Sequence, residues 1–129
     1  SARALGSIRF GDAGRSATMV LDESDFAEVG ARPEELSGIV NQPMSVGSLE
    51  VSVLLTQSEP GRVKGSFRSK APSEPGSTRY VDVNQVAAGF GGGGHIHAAG
   101  ARFEGSVTEV RELVVAALTR ALREAGFED

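Results

Sequence analysis

The residues of this sequence with the most chemistry in them are Arg68, Ser69 and Lys70, and the run Gly91, Gly92, Gly93, Gly94 and His95. Arginine offers a rigid fork that fits two phosphate oxygens, lysine a point charge and serine a neutral donor. A glycine run loses much backbone entropy on folding and gives little packing, so it needs a physical reason. One reason is close approach of the backbone to a ligand, because consecutive N–H groups in a turn form a concave anion site. His95 adds a ring that can donate a hydrogen bond. Together these groups describe a receptor for a terminal phosphate, with Asn41 as a further polar group near the end of an expected helix. Two plainer readings stand beside this one. The glycines could simply connect two elements, and Arg68 and Lys70 could be a solvated strand edge that discourages aggregation.

Other chemistries fit less well. No Lys-Ser/Thr follows the glycines, so they are not a Walker loop, and the residues before them read as helix, unlike a dinucleotide fingerprint. His95 and His97 alternate by two and could share a face as metal ligands. However, with no cysteine present such a site needs carboxylates, and Glu104 is the one acid within seven residues after His97. The acids from Asp22 to Glu35 read as helix-start charges rather than as a site for two divalent ions. No Ser, His and acid spacing argues for a nucleophilic triad.

The composition sets outer bounds. A chain of 129 residues with 40% hydrophobic and 23% charged residues suits one domain with a real core. A net charge of −4 argues against gripping long nucleic acid by bulk electrostatics, so phosphate recognition is expected to be local and short. The absence of cysteine fits a cytoplasmic location, and no stretch is apolar for long enough to span a membrane.

The elements that must position these groups follow from patterning. Residues 1–6 read as a linker or chain end, and 7–126 as the domain. Residues 7–10 and 16–22 form a hairpin around a Gly-rich turn. Short helices are expected at 25–29 and from Pro33 to about 40. Residues 49–56 (LEVSVLLT) form the best strand, central because Leu54 makes its second face apolar as well. After a turn at 58–61, residues 62–69 return antiparallel, with Val63, Gly65, Phe67 and Ser69 on one face and Lys64, Ser66, Arg68 and Lys70 on the other. Residues 71–78 are a Pro- and Ser-rich loop. Asp82 and Gln85 have capping-box spacing for a helix that ends at Gly89, before the glycine loop. A strand at 98–103 follows. Ser106 then caps a helix to about 125, with Val110, Leu113, Val114, Ala117, Leu118, Ala121 and Leu122 as its apolar stripe. The expected fold is a single α/β domain, with a mixed central β-sheet packed with helices.

Several of these stretches also resemble a known family. They are Gly38-Ile39-Val40-Asn41, the strand from Leu49 to Leu55, Phe67-Arg68-Ser69-Lys70, Val81-Asp82-Val83-Asn84, Gly91-Gly92-Gly93-Gly94-His95 and Ala98-Ala99-Gly100. In order and spacing, from about Thr18 to Leu122, they resemble the DHH-associated C-terminal domain of DHH phosphoesterases, in the oligoribonuclease and phosphoadenosine-phosphate phosphatase branch related to RecJ. The resemblance implies a substrate-binding lid. Arg68, Ser69, Lys70, Gly91 to Gly94 and His95, with Asn41, would bind short RNA or nucleoside phosphates. A catalytic DHH domain in cis would hold manganese, and the parent could be a homodimer. This chain has no Asp-His-His motif, so no catalytic residue and no cofactor are expected within it, and alone it is expected to be inactive. Ile96-His97 replaces the family's usual pair after the motif histidine, which leaves substrate preference open. A reading of a different class is a free-standing tRNA- or nucleotide-binding module, as at the ends of alanyl-tRNA synthetases.

Overall fold

The computed structural model describes residues 7–21 and 47–128. The two alternating runs on either side of Pro60 and Gly61 become the middle of the sheet. Strand β3 spans Val51–Glu59 and β4 spans Arg62–Ser69, paired antiparallel. Gly61 takes φ +75° in the turn between them, the left-handed conformation that glycine adopts without strain. β1 (Arg9–Gly11) and β2 (Ser16–Leu21) form the expected hairpin around a single 3-10 turn, Asp12–Gly14. β2 lies parallel to β3, which requires a crossover between them. Residues 22–46 of that crossover, including the helices expected at 25–29 and 33–40, lie outside the described ones.

The C-terminal half supplies helix α1 (Val83–Ala88), strands β5 (Gly93–His95) and β6 (Ala98–Glu104), and helix α2 (Val107–Glu124). The strand order β1-β2-β3-β4-β6-β5 makes one six-stranded mixed sheet in an α/β domain, as the patterning predicts. Both helix caps form. Asp82 Oδ1 accepts from the N–H groups of Asn84 and Gln85 at 2.9 and 3.2 Å, and Ser106 Oγ accepts from Glu109 N–H at 3.1 Å.

One face of the sheet carries the core. Val51, Val53 and Leu55 of β3 and Val63 and Phe67 of β4 pack with Val110, Val114, Leu118 and Leu122 of α2 and Val83 and Ala87 of α1. Leu54, on the other face of β3, is also buried, as expected of a central strand. Two expectations need correction. Leu113 does not join the stripe of α2 but is 58% exposed, because the helix docks on the narrower arc through Val110, Val114 and Leu118. The glycine loop is also shorter than expected, since Gly93–His95 pairs with β6 as an edge strand.

α2 is tied to the start of the chain as well. Thr119 Oγ1 donates to Asp12 Oδ1 at 2.7 Å across 107 residues of sequence. Beyond the helix end, the guanidinium groups of Arg79 and Arg15 lie 4.3 and 5.7 Å from the centre of the Phe127 ring.

Candidate phosphate-binding site

β4 and β6 carry the site, because their antiparallel register sets Arg68 opposite Ala98, and Ala98 is in turn opposite His95 of β5. Arg68 and His95 therefore stand in one cross-strand row with a single methyl group between them, about 10 Å apart at ordinary strand spacing. Arg68 is half-buried, and its Nη1 donates to the carbonyl of Phe67 at 2.9 Å. That bond fixes the plane of the guanidinium and leaves the rest of its donor fork open among the described residues. His95 is exposed. Lys70 Nζ donates to the carbonyl of Gly47 at 3.0 Å, which holds a positive charge just past the end of β4.

Ser69 is placed differently. It is 8% exposed, on the core face of β4, and its Oγ lies 2.9 Å from His97 Nδ1 and 3.3 Å from the Ile96 carbonyl. A hydroxyl has one proton. Both contacts are made together when Ser69 donates to Ile96 O and accepts from an Nδ1–H of His97. The Ser69 N–H also donates to His97 O at 3.1 Å. Ser69 thus holds the Ile96–His97 turn in place, and its one donor is committed within the protein.

The glycine run is likewise committed. Gly91 N–H donates to Ala88 O at 3.0 Å and Gly92 N–H to Ala87 O at 2.8 Å, closing the end of α1. Gly94 N–H donates to Asn84 Oδ1 at 2.9 Å. The amides of Gly91, Gly92 and Gly94 are therefore spent on α1 rather than held out as a nest of free donors. The need for glycine comes from a neighbouring strand instead of a ligand. A Cβ on Gly92 would lie 2.1 Å from Gly100 O, and one on Gly94, where φ is +154°, 2.7 Å from Ala98 O. No side chain fits there. Gly93 has room, its nearest neighbour being Asn84 Oδ1 at 3.5 Å.

α1 is the frame for this arrangement. Its Val83 N–H donates to Ile96 O at 2.8 Å, and Asn84 reaches Gly94 as described. The His97 ring packs against Tyr80 with centroids 5.2 Å apart. Asn84, His97 and Tyr80 are thus supporting residues that sequence reasoning left without a role. The sequence signals for Asn84 were its place in the first turn of a capped helix and in one of the stretches that carry the family resemblance. His97 lies in the turn before β6 rather than in a strand. Asn41 lies outside the described residues. A separate cleft of about 490 Å³ beside α1 and α2, lined by Tyr80, Asp82, Gln85, Phe90 and Arg120 among others, contains none of the expected ligand-binding residues. Among the described residues no three His, Asp or Glu side chains gather as metal ligands, and no helix is long and apolar enough to cross a membrane.

Comparison with known proteins adds a family and a fold. The model of the DHHA1 domain matches residues 17–124. An exopolyphosphatase-related protein from Bacteroides fragilis superposes with a TM-score of 0.69 at 25% identity, over 94% of this chain and 32% of its own. The pGpG-specific phosphodiesterase PggH from Vibrio cholerae gives 0.54 at 12% identity, over 97% of this chain and 38% of its own. The C-Ala domain of Aquifex aeolicus alanyl-tRNA synthetase gives 0.53 at 15% identity, over 79% of this chain and 88% of its own. The latter two likenesses show the fold alone. The chain spans about a third of the length of the first two proteins.

Proposed function

The chain belongs to the DHHA1 domain family, and from that premise we propose that it is the substrate-binding part of a DHH phosphoesterase acting on short oligoribonucleotides or on 3′-phosphoadenosine 5′-phosphate. The observation that carries this reading is the row formed by Arg68, Ala98 and His95. It offers a fixed guanidinium fork and an exposed imidazole on either side of a small residue, with Lys70 beside the fork. A terminal phosphate accepts from Arg68 while His95 donates to a further oxygen. Ser69, Asn84 and the glycines position β5, which carries His95, and the Ile96–His97 turn after it, rather than touching the ligand. The phosphodiesterase likeness is in keeping with this reading, as is the exopolyphosphatase-related one.

Hydrolysis belongs to a DHH domain in cis, where manganese would supply an activated water. The residues described here bind and orient. The test is titration of a 5′-phosphorylated dinucleotide into this chain, followed by backbone amide and histidine NMR shifts. Shifts centred on Arg68, Lys70 and His95, lost in Arg68→Ala, are expected even at millimolar affinity. No shift at those residues at high ligand concentration overturns the reading. Shifts with a tRNA acceptor stem but not with the dinucleotide favour a tRNA-binding module of the C-Ala kind.

A further inference from the structure

Beyond Arg68, the open face of β4 and β6 carries a second pair of cations that the terminal-phosphate site does not use. Lys64 and Arg102 are direct cross-strand partners, both exposed. Like charges directly opposite one another destabilise a sheet. Neither side chain has an ion-pair or hydrogen-bond partner among the described residues. The charge pattern changes one row further on, where Arg62 faces Glu104 and also lies 3.9 Å from Glu59. Uncompensated positive charge on this face therefore begins at Arg68 and stops at the Lys64–Arg102 row.

The ground between is low. Ser66 and Gly100 face each other in the intervening row, so neither strand raises a bulky side chain between Arg68 and the Lys64–Arg102 row. Phe67 and Phe103, the aromatic residues of these two strands, belong to the helical face. β4 and β6 thus offer cations and small residues on the open face, with no stacking platform. Lys64 is four residues from Arg68, about 13 Å along the strand. Two to four nucleotides of a single strand cover that distance, because the stacked rise is about 3.4 Å per nucleotide and an unstacked strand roughly doubles it.

We propose that Lys64 and Arg102 form a second anion station, which extends the Arg68 site into a short track for the backbone of a single-stranded oligonucleotide, read without regard to base. This rests on the phosphate reading of Arg68 given above. It makes the preferred ligand a single-stranded oligonucleotide with several backbone phosphates, with a length limit where the carboxylates of Glu59 and Glu104 begin.

The test is binding of 5′-phosphorylated oligoadenylates of two, three, four and six nucleotides at several salt concentrations. Affinity is expected to rise from two to about four nucleotides and then level off. Lys64→Ala with Arg102→Ala is expected to remove that rise, about tenfold at four nucleotides, and to lower the salt slope by about 1.4, or 0.7 per phosphate contact. Dinucleotide binding should be unchanged. Arg102→Glu gives the same loss while converting a repulsive cross-strand pair into an attractive one, so its melting temperature should not fall. Length-independent binding, or a length dependence that survives the double substitution, overturns the track. So does a length dependence seen with linear polyphosphate alone. Arg68→Ala separates the two readings. Loss at every length supports the terminal site. Retained dinucleotide binding in Arg68→Ala, with a length effect that still depends on Lys64 and Arg102, overturns the terminal site and leaves the track standing. Failure to bind any of these oligonucleotides overturns both.

Discussion

The glycine run and the end of β4 look alike in the sequence, as two sources of hydrogen-bond donors for an anion, but the structure uses them in opposite ways. At Gly91, Gly92 and Gly94 every N–H is donated to α1. At Arg68 a single N–H bonds to the adjacent carbonyl, and the rest of the fork stays open among the described residues. One region is scaffold and the other is reach. Glycine enrichment therefore marks close approach without saying what approaches, which here is another strand.

That contrast makes graded predictions. Gly92→Ala has the largest effect, because its Cβ would meet Gly100 O at 2.1 Å. Unfolding in urea should show a loss of about 3 kcal/mol or more, whereas Gly93→Ala should lose less than about 1 kcal/mol. Equal losses at the two glycines would break the comparison. Ser69→Ala comes next, at about 1–2 kcal/mol, because it removes a buried hydroxyl that joins Ile96 and His97. Its NMR signature should be altered histidine resonances without any ligand. Asn84→Ala should lose about 1 kcal/mol and speed hydrogen exchange at the Gly94 amide, since the acceptor of that amide is gone. Arg68→Ala should change stability least, by under about 0.5 kcal/mol, yet weaken dinucleotide binding by more than about tenfold. A large stability loss at Arg68 would move it into the scaffold class.

Much of the fold was legible because it rests on local rules. β4 and the Asp82 and Ser106 caps formed where periodicity and capping chemistry put them, and the alternation of β3 held although the strand runs on to Glu59, into the expected turn. The parallel pairing of β2 with β3 was not legible, since nothing in either strand encodes its partner. β5 escaped because glycine is depleted in strands, and only the presence of β6 makes it the residue that fits. At the site, the row of Arg68 and His95 depends on register across three strands, which sequence spacing does not reveal. The commitment of the Ser69 hydroxyl depends on which face of β4 reaches the Ile96–His97 turn. The cation face of β4 was readable by alternation, but its partner Arg102 was visible only once β6 was paired.

The bond from Thr119 to Asp12 has a consequence for how this molecule is made. It joins two side chains 107 residues apart, and Arg15 stacks on Phe127 near the other end of the described chain. Long-range contacts of this kind are slow to close. During synthesis the apolar face of β3 and β4 emerges well before α2, the element that covers most of it. Chains halted on the ribosome before Val107 should stay sensitive to protease in pulse-proteolysis assays, and resistance should appear only once α2 has cleared the exit tunnel. α2, the helix translated last among the described residues, is therefore the one that ends the exposure of this apolar face to aggregation and to chaperones.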